Sequence, residues 1–170
     1  MCGIIGATGG ANVLDLLLQG LERLEYRGYD SAGVALQADG ADNTLWRARA
    51  ATGTRSLEDL AKVVDEAPEG VLAGIGHTRW ATHGHPTEAN AHPHVDCSAR
   101  VAVVHNGIID NWAELRARLE ADGHVLASDT DTELVAHLVE EELDGGASLA
   151  DAVRATVREL RGAFALAVVC

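Results

Sequence analysis

The sequence predicts an α+β domain in which antiparallel sheets are stacked face to face and covered by helices. Strand-like apolar runs fall mostly in hairpin-like neighbours rather than in strict strand–helix–strand alternation, which favours a layered sheet sandwich over a parallel sheet. Helix-period stretches lie between those runs and are bounded by capping residues and glycines. A length of 170 residues, with 47% apolar and 23% charged side chains, suits one soluble globular domain with a real core.

Each element follows from its local pattern. Residues 2–8 are apolar, flanked by glycine and ended by Thr8-Gly9-Gly10, as in a short buried strand. Leu14, Leu17, Leu18, Leu21 and Leu24 then recur at helical steps, with Asn12 as N-cap and Gly28 beyond the end. Residues 32–38 and 44–50 read as strands joined through the polar turn Asp39-Gly40-Ala41-Asp42-Asn43. Ser56 caps a second helix whose buried face carries Leu57, Leu60, Val63 and Val64. After Pro68-Glu69-Gly70, residues 71–76 form a strand.

Residues 77–99 follow neither period. A loop of that length is unusual in a compact domain and points to function. Residues 100–105 return to a buried strand. Asn111 and Glu114 make an N-cap and N3 pair for a helix reaching about Ala121 and closed by Gly123. Thr130 and Glu133 repeat that signature before a helix over 134–143, and Ser148 caps a last helix ending near Gly162. Residues 164–169 begin another strand, whose open edge predicts that the domain is incomplete at its C-terminal end.

Bulk properties exclude several functions. A formal charge of −13 argues against binding nucleic acid, which requires clustered Lys and Arg. No basic-then-apolar secretory start and no membrane-length apolar window is visible. Three cysteines, Cys2, Cys97 and Cys170, are too few for a disulfide framework and suit a reducing cytoplasm. Cys97 and Cys170 read as structural or incidental.

Cys2 differs by its address. Once Met1 is removed, Cys2 carries a thiol and a free α-amino group whose ordinary pKa is about 7.7–8.0. That amine can take the thiol proton and later return it to a leaving group, so that base and nucleophile share one residue. Position alone is a weak signal, and further motifs carry the case. They are Leu24-Glu25-Tyr26-Arg27-Gly28-Tyr29-Asp30-Ser31-Ala32-Gly33, then His77-Thr78-Arg79-Trp80-Ala81-Thr82-His83-Gly84, then Asn90-Ala91-His92-Pro93-His94. Val104-His105-Asn106-Gly107-Ile108-Ile109-Asp110-Asn111 and Ser128-Asp129-Thr130-Asp131-Thr132-Glu133 complete them.

Together with Cys2-Gly3-Ile4, this series resembles the class II, N-terminal-nucleophile glutamine amidotransferases. The wording Arg-Trp-Ala-Thr-His-Gly, Asn-Ala-His-Pro-His and His-Asn-Gly-Ile-Ile is similar to their hexosamine-forming branch; asparagine synthetases and phosphoribosyl-pyrophosphate amidotransferases differ there. The resemblance implies a four-layer αββα sandwich of the Ntn hydrolase type. Residues 1–170 would be an incomplete glutaminase domain, with the sugar-isomerase domains that hold fructose 6-phosphate absent from this chain. It implies Cys2 as nucleophile and Asn106 with Gly107 as the oxyanion pair. Arg79 would hold the glutamine carboxylate, since a guanidinium binds that group bidentately, and Asp131 the ammonium. Trp80, Thr82 and His83 would belong to a loop closing over glutamine, with Arg27 in a supporting role; Gly76 and Gly84 flank that loop, and their position there makes them its candidate hinges. The family's usual state is a homodimer, without membrane or nucleic-acid partners.

Other readings are weaker. His77, His83, His85, His92, His94 and His105 crowd one region and invite a metal hydrolase, yet zinc-module Cys–His spacings are missing. The resemblance accounts for that cluster with no metal and no cofactor. Asp129-x-Asp131-x-Glu133 lacks the glycine of a calcium loop, and Gly74-x-Gly76 lacks the third glycine of a dinucleotide fingerprint. An inert or partial glutaminase fragment, or the glutaminase of another class II enzyme, are the alternatives that remain.

Overall fold

The computed structural model describes residues 2–9, 12–40, 44–80 and 85–170. In chain order the elements are β1 Gly3–Thr8, α1 Val13–Leu24, β2 Ser31–Ala38, β3 Trp46–Ala50, α2 Ser56–Val63, β4 Val71–Arg79 and β5 His94–Val95. They continue as β6 Ala102–Ile109, α3 Trp112–Ala121, α4 Asp131–Asp144, α5 Leu149–Glu159 and β7 Gly162–Val169. One sheet has the order β1-β4-β2-β3 and the other β5-β6-β7, and every pairing is antiparallel.

Period-two alternation makes the layers. On β2, Val34 and Leu36 face a core shared with Val13, Leu17 and Leu21 of α1 and Leu60 of α2. Ala35 between them points the other way, to Ile75, Ala102, Val104 and Val169 in the seam between the sheets. On β6, Val101 just before the strand and Val103 within it join Leu134, Val135, Leu138 and Val139 of α4 and Leu115 and Leu119 of α3. The result is helices, sheet, sheet, helices, the four-layer αββα sandwich expected above. Small side chains such as Ala35 and Ala102 fill much of the seam, and Gly33 sits where a Cβ would meet the His92 carbonyl oxygen.

Several expectations about element ends are corrected. Asn12 precedes α1 with a left-handed backbone and no side-chain cap, so it turns the chain without capping the helix. Ser56 begins α2; its hydroxyl accepts from the Thr52 N–H and donates to a carbonyl, tying down the preceding loop. Val63 is 42% exposed, leaving Leu60 and Val64 to bury that face. Asn111 precedes α3 but spends its amide on the Glu159 carbonyl and the Arg161 N–H, joining α3 to the end of α5. α4 starts at Asp131, earlier than the apolar period indicated. Glu133 reaches back to the N–H groups of Ala127 and Ser128, while Thr130 turns its hydroxyl to His94. Ser148 caps α5 as expected, accepting from the Asp151 N–H.

Two corrections bear on the site. β4 runs on through His77, Thr78 and Arg79, so the irregular segment starts only after Arg79. Gly76 is an interior strand residue against Ile5 and Leu21, with only 3.1–3.3 Å left for a Cβ, which makes it a packing glycine and no hinge. Gly84 lies outside the described residues, as do residues 41–43 of the hairpin turn.

Candidate active site

The β1–β4 register sets Gly3 opposite Thr78 and Ile4 opposite His77, so Cys2 emerges beside the end of β4. There its Sγ accepts from the Trp80 N–H at 3.3 Å, and its S–H lies 3.6 Å from the Trp80 carbonyl oxygen. Gly28 makes this approach possible, because a Cβ there would lie 2.8 Å from the Arg79 and Trp80 backbone. Cys2, Arg27, Arg79, Trp80, Asn106, Gly107 and Asp131 line one cavity of about 460 Å³, within the usual size for a small-molecule site.

The sequence-derived residues thus converge wherever they are described. Arg79 is 4% exposed; burial pushes its guanidinium below its usual pKa, against the pull of Cys2, Asp30 and Asp131. Asp131 accepts the Ile109 N–H on Oδ2 at 2.9 Å, which fixes the start of α4 against β6. Its Oδ1 faces Nδ1 of His105 at 3.6 Å. Trp80 is 43% exposed and meets Tyr29 edge to face, with ring centroids 5.5 Å apart. Met1, Thr82 and His83 lie outside the described residues.

Asn106 and Gly107 sit within β6, not in a turn ending it. Gly107 has φ +125°, and a Cβ would come within 2.1 Å of the Ala163 carbonyl oxygen on β7. Glycine is therefore required by the β6–β7 backbone itself, independently of any substrate. Asn106 is held by a group the motifs did not assign. His77 Nε2 lies 2.9 Å from Asn106 Oδ1 and 3.1 Å from the His105 carbonyl oxygen. Both are acceptors, so Nε2 carries the hydrogen, and the Asn106 amide must turn its NH₂ toward Cys2, where it donates to the carbonyl oxygen at 3.2 Å. Burial lowers the His77 pKa to about 4, keeping the ring neutral at pH 7.

His77, His92, His94 and His105 of the histidine-rich region are spent on hydrogen bonds. His92 Nε2 and His105 Nδ1 meet the buried Thr132 hydroxyl at 2.7 and 2.9 Å, and His94 Nε2 meets Thr130 at 2.9 Å. One hydroxyl proton serves only one partner, so at least one of the two rings presents N–H to Thr132. His77 stacks on His92 with centroids 4.3 Å apart. These rings form a buried scaffold behind the cavity. Sequence reasoning weighed them only as metal ligands, because nothing in their spacing reveals the threonines of α4 that they meet.

The layered sandwich thus sets the strand-leading Cys2 in one cavity with the Asn106 amide, Arg79 and Asp131. The chain belongs to the glutamine amidotransferase domain family, whose model matches residues 77–170. It is 55% identical over 170 residues to the glutamine–fructose-6-phosphate aminotransferase of Symbiobacterium thermophilum, covering 100% of this chain and 27% of that protein. It is 56% identical to the enzyme of the same name from Streptomyces coelicolor, covering 99% of this chain and again 27% of that protein. The chain therefore spans about a quarter of the length of these relatives. Among solved structures, the allosteric regulatory enzyme of purine biosynthesis superposes with a TM-score of 0.76 at 26% identity, covering 98% of this chain and 35% of that one. The glutamine phosphoribosylpyrophosphate amidotransferase of B. subtilis follows at 0.73 and 25% identity, covering 98% and 34%.

Proposed function

We propose that this chain hydrolyses glutamine to glutamate and ammonia, with Cys2 as nucleophile. We further propose that in the whole protein the ammonia converts fructose 6-phosphate to glucosamine 6-phosphate. The carrying observation is that Cys2, Asn106, Gly107, Arg79 and Asp131 line one cavity. The acceptor assignment is supported by the names of relatives at 55–56% identity, and it requires sugar-phosphate domains outside this chain.

In this reading Arg79 takes the α-carboxylate of glutamine and Asp131 its α-ammonium, which sets the side-chain amide over Cys2. The Cys2 amine accepts the thiol proton, and sulfur attacks the δ-carbon. Negative charge then develops on the amide oxygen, where the Asn106 NH₂ and the Gly107 N–H stabilise it. Collapse breaks the C–N bond, the proton returns to nitrogen, and ammonia leaves. Water cleaves the resulting γ-glutamyl thioester to glutamate and restores the thiol. Trp80 borders the bound substrate, and Arg27 supports the cavity wall beside Cys2. No metal or cofactor takes part, and the reducing cytoplasm suits a catalytic thiol.

Equimolar glutamate and ammonia released from glutamine by the purified protein, and lost in Cys2→Ala, is the expected result. Undiminished release by Cys2→Ala would end the proposal.

A further inference from the structure

Outside the cavity of Cys2, a second group of side chains converges on one point. Cys97 follows β5, His124 lies in the loop after α3, and His137 and Glu140 stand one turn apart on α4. One ligand atom from each lies within 4.8 Å of all the others. The Cys97 sulfur is 3.5 Å from Nδ1 of His124 and 3.5 Å from Nδ1 of His137. The two Nδ1 atoms are 3.2 Å apart, and Glu140 Oε2 is 3.3 Å from the His137 nitrogen and 3.4 Å from that of His124.

We infer that Cys97, His124, His137 and Glu140 form a tetrahedral site for a divalent transition metal, zinc in the first instance. The edges carry the argument. Zinc binds nitrogen or oxygen at about 2.0–2.1 Å and sulfur at about 2.3 Å, so a tetrahedron has N···N edges of about 3.3 Å and S···N edges of about 3.6 Å. The separations in the structure, 3.2 Å between the nitrogens and 3.5 Å from sulfur to each, lie close to both lengths. Lone pairs at such distances repel one another unless protons or a cation lie between them.

The surroundings are those of a ligand set. Metal-bound imidazoles commonly present their second nitrogen to a carboxylate. Here Nε2 of His124 faces Glu141 Oε1 at 3.3 Å, while Nε2 of His137 lies 4.0 Å from Glu133 Oε1, beyond hydrogen-bond distance. The Cys97 N–H donates to Glu140 Oε2 at 3.3 Å, and the Val125 N–H donates to the Cys97 thiol. His137 and Glu140 are buried while Cys97 is exposed, which gives an ion a path in. Thiolate and imidazole select zinc, cobalt or iron over calcium or magnesium. With four protein ligands the site is closed, and it would pin the middle of α4, the helix that starts at Asp131, to the segments carrying Cys97 and His124. It is independent of the glutaminase reading.

The test is cobalt(II) titration of the chelator-treated protein, followed by displacement with zinc. The expected result is one equivalent bound, with intense visible bands of four-coordinate cobalt and a near-ultraviolet thiolate-to-metal band, all bleached by zinc. Cys97→Ala and His124→Ala, checked for native circular dichroism, should each weaken binding by about 100-fold or more. Glu141→Gln, which keeps every ligand, should weaken it by about 10-fold or more. Cys2→Ala should keep both bands unchanged. Weak six-coordinate spectra, no saturable binding, or bands that disappear with Cys2 and persist without Cys97 would overturn the assignment.

Discussion

Replacing Asn106 by alanine separates a catalytic donor from a structural one. In the fold, Oδ1 accepts from His77 at 2.9 Å and Nδ2 donates to the Cys2 carbonyl at 3.2 Å. Truncation leaves His77 Nε2 its second acceptor, the His105 carbonyl at 3.1 Å, so no buried donor is orphaned. The stability cost is therefore that of a net hydrogen bond or two, about 0.5–1.5 kcal/mol each. Loss of an oxyanion donor costs more, about 2.7–4 kcal/mol, or two to three powers of ten in kcat. Initial rates of glutamate release across glutamine concentrations should show kcat falling by that factor with KM little changed, in a variant that still unfolds cooperatively. Asn106→Asp, which keeps the acceptor facing His77 but lacks the donor, should fall as far. A kcat within about threefold of the parent in both variants would refute the donor role.

Other substitutions probe the remaining parts. Gly107→Ala forces a Cβ to within 2.1 Å of the Ala163 carbonyl oxygen at φ +125°, so β6 must part from β7; a loss of at least about 2 kcal/mol in urea unfolding is expected, alongside lost activity. Arg79→Lys gives up the bidentate fork at a buried position, and KM for glutamine should rise about tenfold or more while kcat changes less. Thr132→Val removes the hydroxyl shared by His92 and His105, leaving polar ring nitrogens buried, and should destabilise by about 1–3 kcal/mol. Burial holds His77, His92 and His94 below their ordinary pKa, so between pH 6.5 and about 4 the unfolded chain binds protons that the folded chain does not. The stability that depends on these three neutral rings should accordingly be full above pH 6.5 and fall as pH drops, His77 alone contributing about 3 kcal/mol, read from urea midpoints against pH.

The layers were legible because period-two strands and leucine-spaced helices write their faces into the sequence, as Val34, Ala35 and Leu36 do on β2. Helix starts were read less well. Asn12 and Asn111 are good capping types, but the first takes a left-handed backbone and the second is drawn to the end of α5. The end of β4 was hidden because His77, Thr78 and Arg79 are polar, although all three are buried. Residues that touch substrate in the proposed chemistry were named through family motifs, whereas the scaffold of His77, His92, His105 and Thr132 depends on contacts across the fold that no local pattern encodes. The same holds for Cys97, which the sequence marks only as structural or incidental. Its partners come from a distant loop and helix, and only the one-turn spacing of His137 and Glu140 was there to be seen.

Exposure to a diazoketone analogue of glutamine, followed by peptide mass spectrometry, addresses the nucleophile itself. One covalent adduct per chain is expected, on the sulfur of a Cys2 that begins the mature polypeptide with a free amine, and saturating glutamine should prevent it. Modification at another residue, or a protein that releases ammonia with Met1 still attached, would contradict the mechanism.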